Sequence, residues 1–338
     1  MKIALDAMGG DNSPATEVEG AVLSVRECET EIILVGDEKL LKDELKKYSL
    51  KDNLISVVHA PQKIRMDESP SSVIRKKRDS SIWIATELVK NREASAIISA
   101  GNTGATMATS IFLLGVLKGI ERPAIATILP SLQGTSIILD VGANVDCKPQ
   151  QLLQFGIMGH EYAKTIIGKT NPTVGLLSIG EEDVKGNELT KDAFKMLKES
   201  FLNFIGNIEG KDVYNGYADV IVCDGFIGNI SLKISEGLSN SIIRFLKREI
   251  ERTIIGKIGY LLLKPTFMRF KKMVNYEEYG GAPLLGINGV SIICHGNSSG
   301  KAIKNAIKVA LVFGKNRINE HIQNDIEETM ELNSAGRL

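Results

Sequence analysis

The chain has 338 residues, 43% of them hydrophobic, which is enough to bury the core of one large α/β domain or of two lobes. Its 41 basic and 41 acidic residues cancel, and this balance argues against a general nucleic-acid binder. The four cysteines lack the paired spacing of a zinc site or of a disulfide framework. The sequence contains neither a signal peptide nor an apolar run of transmembrane length, so we expect a cytoplasmic protein.

Short apolar runs bounded by turn residues predict β-strands that alternate with helices. A charged helix is expected at residues 38–48, between the second and third strands. The predicted strands cover residues 2–7, 31–35, 54–58, 96–98, 124–129, 135–139, 173–179, 218–223, 282–285 and 290–294. This alternation predicts an open, twisted, mostly parallel sheet with helices on both faces. We expect a single α/β unit over residues 1–338, as one domain or as two lobes around a central cleft.

The first strand leads through a loop at residues 8–14 into a predicted helix. Its carboxylates could position a substrate hydroxyl or a lysine. Asp11 or Ser13 could instead cap the helix that begins after Pro14. The candidate substrate-binding residues are Asp6, Gly9, Gly10 and Asp11, together with Asp140 at a later strand end.

Four cations lie side by side at residues 75–78, before an apolar segment that reaches Val89. We expect this run to begin a helix, where positive charge opposes the macrodipole. An anionic ligand or an acidic partner would favour it there, whereas a solvated charged face is the ordinary alternative. The residues are Arg75, Lys76, Lys77 and Arg78.

A loop of glycines and hydroxyl residues follows the strand at 96–98 and precedes an apolar helix. The first turn of a helix leaves unpaired N–H groups at the positive end of the macrodipole, which suits an anion. The glycines let the backbone approach closely, and the polar side chains can add donors. We predict a phosphate-binding loop; a tight turn capped by Asn102 or Thr103 is the alternative. The loop residues are Ser99, Gly101, Asn102, Thr103 and Gly104.

Polar residues also crowd the ends of later strands, where open α/β sheets place their ligands. They follow the predicted strands at 135–139, 173–179, 218–223 and 290–294. Cys147 lies in the first of these groups, but no histidine is near it in sequence to activate a thiolate. We therefore interpret Cys147 as structural.

The segment 240–275 carries nine Lys or Arg against two Glu in a chain whose net charge is zero. Large apolar residues are interleaved with the charges, and Gly256, Gly259 and Pro265 predict a break into two short helices. Such a basic protrusion is typical of a tip that enters the interface of an anionic bilayer without crossing it; a subunit-interface hairpin is the alternative. The predicted membrane residues are Ile258, Leu261, Leu262, Leu263 and Phe267.

Seven motifs, in this order along the chain, closely resemble the bacterial acyl-ACP:phosphate acyltransferase family, PlsX. They are IALDAMGGD at 3–11, the Ser-Pro and basic run that ends at Ser81, SAGNTGA at 99–105, LDVGAN at 139–144, GEE and KGNE within 180–188, GFIGN at 225–229, and His295-Gly296. The resemblance implies a fold akin to isocitrate and isopropylmalate dehydrogenases and to phosphotransacetylase. It also implies a homodimer on the inner face of the cell membrane, with no cofactor and no metal.

The reaction that the resemblance implies is transfer of a fatty acyl group from acyl carrier protein to inorganic phosphate. The acyl phosphate would serve phosphatidic acid synthesis, with a membrane glycerol-3-phosphate acyltransferase as a candidate partner. Our hypothesis is direct attack of a phosphate oxygen on the thioester carbonyl. Asparagines would donate to the oxyanion, lysines would neutralise charge, and the basic run and hairpin would dock the acidic carrier protein. The candidates are Asn144, Asn187 and Asn229, with Lys148, Lys185, Lys233 and His295.

Three alternatives remain at this stage. A phosphotransacylase that uses acyl-CoA shares the fold and the chemistry. NAD-dependent decarboxylation of hydroxy acids occurs on the same fold, but the expected arginine-rich signature and aspartate cluster are absent from the sequence. The third alternative is a non-enzymatic peripheral membrane scaffold. The polar residues at the strand ends argue against it, because a scaffold would not need them.

Overall fold

The computed structural model describes residues 1–49, 53–274 and 280–334, and within these ranges eleven strands form one sheet. The strands are β1 (Lys2–Asp6), β2 (Glu31–Gly36), β3 (Ile55–His59), β4 (Ala96–Ser99), β5 (Ala124–Ser131), β6 (Gly134–Leu139), β7 (Thr173–Leu177), β8 (Asn203–Ile208), β9 (Val220–Val222), β10 (Ala282–Leu285) and β11 (Ser291–Ile293).

Helices connect most of these strands and close the chain. They are α1 (Ala15–Cys28), α2 (Glu38–Leu45), α3 (Pro70–Lys76), α4 (Ser81–Lys90), α5 (Thr103–Leu114), α6 (Pro149–Ile166), α7 (Glu188–Glu199), α8 (Gly225–Glu251), α9 (Ile254–Val274), α10 (Gly300–Lys315) and α11 (Ile318–Ser334), with one 3₁₀ turn at Gly210–Asp212.

The strands lie in the order β3-β2-β1-β4-β11-β10-β5-β6-β9-β7-β8. Seven of the ten pairings are parallel, so the predicted mostly parallel sheet is confirmed. The three antiparallel pairings, β11–β10, β10–β5 and β5–β6, lie in the middle. The two halves of the sheet therefore run in opposite directions, and residues from the carboxyl ends of both halves line one cleft.

Helices cover both faces of the sheet. Successive side chains of a strand point to opposite faces, so apolar residues on both faces pack against helices. In β1, Ile3 and Leu5 belong to the buried cluster that includes α1 and α10, whereas Ala4 joins the cluster formed with α3, α4 and α5. All three side chains are fully buried. This two-sided burial explains why the central strands read as continuous apolar runs.

The basic run at 75–78 ends a helix, and the expectation that it begins one is wrong. Helix α3 ends at Lys76 and α4 starts at Ser81. At a helix C-terminus the macrodipole favours cations, so the run needs no anionic ligand to explain its position. Lys77 also pairs with Glu68 at 2.7 Å, and the Arg78 guanidinium lies 5.4 Å from the centre of the Trp83 ring.

The basic amphipathic segment forms a hairpin of two long helices, not the two short helices that were predicted. Helix α8 spans 27 residues and α9 spans 21, and the chain reverses around Arg252 and Thr253. Gly259 and Pro265 lie within α9, so they do not break it. Within the described ranges, no helix is both long and apolar enough to cross a membrane.

The predicted membrane residues do not all share one surface of the hairpin. Leu261 and Leu262 are 69% and 76% exposed, and Ile258 and Leu263 are also exposed. Phe267 is half-buried, since its ring packs 5.4 Å from that of Tyr260 in the groove between α8 and α9. Phe267 therefore belongs to the inside of the hairpin.

Candidate active site

A cleft of about 440 Å³ opens between the two halves of the sheet. Its walls come from the β4–α5 loop, the loops that follow β6 and β11, and the first turns of α8. The predicted site residues that line it are Gly101, Asn102, Thr103, Gly104, Asn229, Lys233 and His295. The fold thus brings together polar groups from three different strand ends.

The first turn of α5 presents backbone N–H groups to this cleft. The N–H groups of Thr103 and Gly104 belong to the first helical turn, where no carbonyl of the helix can accept from them, and they have no acceptor among the described residues. The Thr103 side chain is exposed beside them. An anion bound here would meet two N–H donors at the positive end of the helix dipole.

Asn102 holds this turn in place from both sides. Its Oδ1 caps α5 by accepting a hydrogen bond from the Ala105 N–H at 2.9 Å. Its Nδ2 donates to the carbonyl oxygens of Met66 (2.9 Å) and Glu68 (3.0 Å). The amide that the sequence predicted as a phosphate donor is therefore occupied, and it fixes loop 65–68 against the cleft.

Ser99 supports the loop from behind and does not line the cleft. Its hydroxyl donates to Asp6 Oδ2 at 2.6 Å and accepts from the Gly101 N–H at 3.0 Å. Both side chains are buried. Burial raises the pKa of the Asp6 carboxyl, and hydrogen bonds from Ser81 and Ser99 oppose that rise.

The glycine loop after β1 braces two walls of the cleft. A Cβ on Gly9 would lie 2.7 Å from the Gly101 nitrogen, so the two backbones touch and only glycine fits. The Asp11 N–H donates to the carbonyl oxygen of Gly296 at 2.8 Å. The Gly10 N–H donates to the buried carboxylate of Glu17 at 3.2 Å. These predicted substrate-binding residues therefore shape the site, and among them Asp6 and Gly9 contact the predicted phosphate loop directly.

Helix α8 and the loop after β11 supply titratable groups to the cleft. Lys233 Nζ lies 2.9 Å from Glu236 Oε2, and His295 Nε2 lies 3.5 Å from Glu236 Oε1. Burial lowers the pKa of His295 and the Lys233 charge lowers it further, while Glu236 opposes both. These causes favour a neutral imidazole in the cleft.

Asp140 and Asn144 form a buried support beneath the cleft. Asp140 accepts hydrogen bonds from the backbone N–H groups of Ile125, Ala143 and Asn144. The Asn144 amide donates to Asp140 Oδ2 at 3.0 Å and to the carbonyl oxygen of Pro123 at 2.8 Å. Asn144 thus has no amide hydrogen left for an oxyanion. Burial raises the pKa of the Asp140 carboxyl.

Besides Asn144, three predicted catalytic residues do not line the cleft. Lys148 precedes α6 and Lys185 lies in the loop after β7, both exposed. Asn187 caps α7, with Oδ1 accepting from the Thr190 N–H at 2.9 Å. Cys147 also lies outside the cleft lining, and burial raises the pKa of its thiol to about 12, in keeping with a structural role.

Glu236 and Met66 are two of several residues of this site that the sequence did not predict. Glu236 follows Asn229 and Lys233 at spacings of seven and three residues, which place all three on one face of a helix; that spacing could have revealed it. Met66 lines the cleft through the loop that Asn102 holds. No local pattern marks Met66, because its place depends on a contact 36 residues away.

One acidic cluster in the described part of the chain has the spacing of a metal site, namely Glu181, Glu209 and Asp212. It lies outside the cleft. The Lys211 ammonium lies 2.6 Å from Glu209 and 3.1 Å from Glu181, so a lysine already balances this charge.

A sequence profile described as fatty acid synthesis protein matches residues 1–321 of the chain. The chain belongs to this family. The phosphate acyltransferase of Geotalea daltonii is 52% identical over 332 residues, which cover 98% of this chain and 96% of that protein. The phosphate acyltransferase of Thermodesulfovibrio yellowstonii is 55% identical, covering 100% of this chain and 99% of that protein. The predicted family is confirmed, and with it the prediction that the chain is an enzyme.

Solved structures support the predicted phosphotransacetylase-like fold. The phosphotransacetylase of Streptococcus pyogenes superposes with a TM-score of 0.64 over 97% of this chain and 94% of that chain, at 17% identity. At this identity the likeness shows the fold alone. This chain and that phosphotransacetylase thus share one architecture.

Proposed function

We propose that this member of the family transfers a fatty acyl group from acyl carrier protein to inorganic phosphate, giving acyl phosphate for phosphatidic acid and phospholipid synthesis. One observation carries the proposal: the N–H groups at the start of α5 face the same cleft as Lys233 and His295. An anion-binding helix end, a fixed cation and a titratable imidazole are the groups that attack of phosphate on a thioester requires.

The reaction balances without a cofactor. A phosphate oxygen bonds to the thioester carbonyl carbon, the tetrahedral oxyanion collapses, and the C–S bond breaks with its electron pair on sulfur. The phosphate hydroxyl proton ends on the thiol. The helix terminus binds phosphate, and Asn229, with Lys233 beside it on the cleft wall, is the donor placed for the oxyanion.

The proposal that acyl carrier protein is the acyl donor rests on the charge of the surface near the cleft. Acyl carrier proteins are acidic, and Arg75 and Lys76 are exposed at the end of α3. Helix α3 precedes α4 and α5, and the Pro70 ring at its start would contact a Cβ added at Gly104. A basic surface so near the phosphate loop suits the docking of an acidic carrier.

The basic hairpin supports a peripheral membrane location on the inner face of the cell membrane. Leu261 and Leu262 project from α9 into solvent, and lysines and arginines flank them in sequence. Exposed leucines among cations suit insertion into an anionic interface.

We also propose a homodimer. Helix α8 exposes Ile230, Ile234 and Leu238, which are spaced four residues apart and so form one apolar stripe. A contiguous exposed apolar stripe is typical of a protein interface, and a second copy of α8 would cover it. Sedimentation equilibrium of the purified chain checks this.

The assay that tests the function incubates the purified chain with phosphate and either palmitoyl-ACP or palmitoyl-CoA, and identifies the product by mass. We expect palmitoyl phosphate from the ACP thioester, and none when sulfate replaces phosphate. Equal turnover of both thioesters would favour the acyl-CoA alternative. No acyl phosphate from either would overturn the proposal.

A further inference from the structure

Glu236 connects the two titratable groups on one wall of the cleft. It lies three residues beyond Lys233 on α8, and its Oε2 accepts from the Lys233 ammonium at 2.9 Å. Its Oε1 points to His295 Nε2 at 3.5 Å. This Oε1 is buried and accepts no hydrogen bond from the described residues. A buried carboxylate oxygen without a donor is costly, and the imidazole of His295 is the titratable group next to it.

We propose that Glu236 is a positioning residue of the acyl transfer: its carboxylate holds the Lys233 ammonium and the His295 imidazole together and raises the affinity of that imidazole for the proton in transit. This inference rests on the proposed function. His295 takes the phosphate hydroxyl proton as the oxygen attacks the carbonyl carbon. It returns that proton to the sulfur as the C–S bond breaks, so the neutral imidazole is regenerated.

The charges on this wall explain why a carboxylate is needed. With Glu236 ionised, Lys233 is balanced, and a proton on His295 leaves one net positive charge on the three groups. Without the carboxylate, the same proton would add a second positive charge to a half-buried wall, which is unfavourable at low effective dielectric. The carboxylate therefore lowers the cost of the protonated intermediate.

Two other titratable groups lie close to His295 along the chain or against its loop. Cys294, which precedes it, is a buried thiol whose pKa is raised to about 12 by burial, so it stays neutral. Asp11 lies against Gly296, the residue after His295. In the described part of the chain, Lys233 and Glu236 are the charged groups that shift the pKa of His295.

The test replaces Glu236 by glutamine, which keeps the side-chain shape and removes the charge. Glu44→Gln is the matched control, because Glu44 also pairs with a lysine three residues away, and its side chain is 13% exposed against 21% for Glu236. We expect E236Q to lower kcat with palmitoyl-ACP by roughly 10²-fold, the usual size of a misplaced catalytic group, without raising KM for phosphate. The acid limb of the pH profile should move to lower pH, since the removed charge had raised the pKa of His295. E44Q should match wild type.

An NMR titration of the histidine ring protons measures the effect of Glu236 on the pKa of His295 directly, in the absence of substrate. The chain has four histidines, and the His295 signal is the one missing from His295→Ala. We expect the pKa of His295 to fall in E236Q and to stay unchanged in E44Q. A wild-type chain that makes no acyl phosphate overturns the proposed function, whatever the titration shows. An active E236Q with the wild-type kcat and the wild-type pKa of His295 overturns the role of Glu236 alone.

Discussion

Asn102 and Thr103 are adjacent at the start of α5, yet they act on the site in different ways. The side chain of Asn102 caps α5 and donates hydrogen bonds to two carbonyl oxygens of loop 65–68. Thr103 is exposed in the cleft, and its hydroxyl has no hydrogen-bond partner among the described residues. One residue therefore builds the predicted phosphate loop, whereas the other is free to contact an anion bound there.

Substitution by alanine should separate these two roles. We expect N102A to lower the free energy of unfolding by about 1 kcal/mol through the lost cap and to lower turnover, because loop 65–68 is released. T103A should keep wild-type stability and raise KM for phosphate. Denaturant midpoints and phosphate kinetics measure both effects. D37A, which removes the cap of α2, is the control: it should lose stability and keep KM. Wild-type phosphate kinetics in T103A and N102A alike would remove the loop from the site.

Glu17 carries a buried carboxyl behind the glycine loop, and burial raises its pKa from 4.5 to about 7. The folded state then holds a proton between pH 4.5 and 7 that the unfolded state has released. Stability is therefore present below pH 4.5 and is lost as pH rises through 7. A shift of this size corresponds to about 3 kcal/mol.

Glu17→Gln should remove this pH dependence. We expect the urea midpoint of the variant to exceed that of wild type at pH 8 and to approach it near pH 5. E19Q, two residues away and exposed, should follow wild type throughout. Parallel pH profiles for E17Q and wild type would show that the Glu17 carboxyl is ionised in the folded state across this range.

At the level of single residues, the sequence identified which side chains are polar but not what they contact. Asn102, Ser99 and Asn144 were predicted as donors to a ligand, and each has its hydrogens taken by the protein. Each of them has a partner 21 to 93 residues away along the chain. Local spacing does not encode such contacts.

At the level of elements, strands could be predicted well where burial is two-sided, because apolar runs bounded by turn residues are unambiguous. Strand β8 was missed, since Asn203–Ile208 contains two asparagines and a glycine, which are uncommon in strands. The hairpin was expected to break at Pro265, which usually ends a helix. Helix α9 continues through it; the reversal occurs earlier, at Arg252 and Thr253.

The revised position of the basic run sharpens the test of carrier docking. Lys77 and Arg78 have partners inside the protein, so reversing all four charges would also damage the fold. Arg75 and Lys76 are exposed, and reversing only these two to Glu should raise KM for acyl-ACP. The effect should shrink as salt rises, because exposed charges are screened beyond about 8–10 Å. K42E/K46E, at the end of α2, is the control with the same charge change. An unchanged, salt-independent KM would contradict the docking proposal.

For the molecule as a whole, zero net charge conceals a strong local asymmetry. The hairpin segment 240–275 carries nine cations against two glutamates, and Lys247 and Arg252 are each paired with one of those glutamates. Lys257 and Lys264 flank three leucines in sequence, Leu261 to Leu263, and these leucines are exposed to solvent. The composition therefore describes a neutral chain, whereas the pattern along the chain concentrates basic and apolar residues in the hairpin, which forms one basic, apolar tip.

This tip should hold the protein on anionic membranes through apolar insertion as well as charge. We expect L261E/L262E to be released from liposomes that contain phosphatidylglycerol, because each change removes about 1.5–3 kcal/mol of apolar burial and adds a charge that the lipid repels. Leu132→Glu is the control, since Leu132 is 86% exposed at the β5–β6 turn, outside the hairpin. Turnover of soluble acyl-ACP should survive in both variants, because neither change touches the cleft. If L261E/L262E sediments with liposomes like wild type but elutes as a monomer, the leucines lie in a subunit interface and the membrane proposal is wrong.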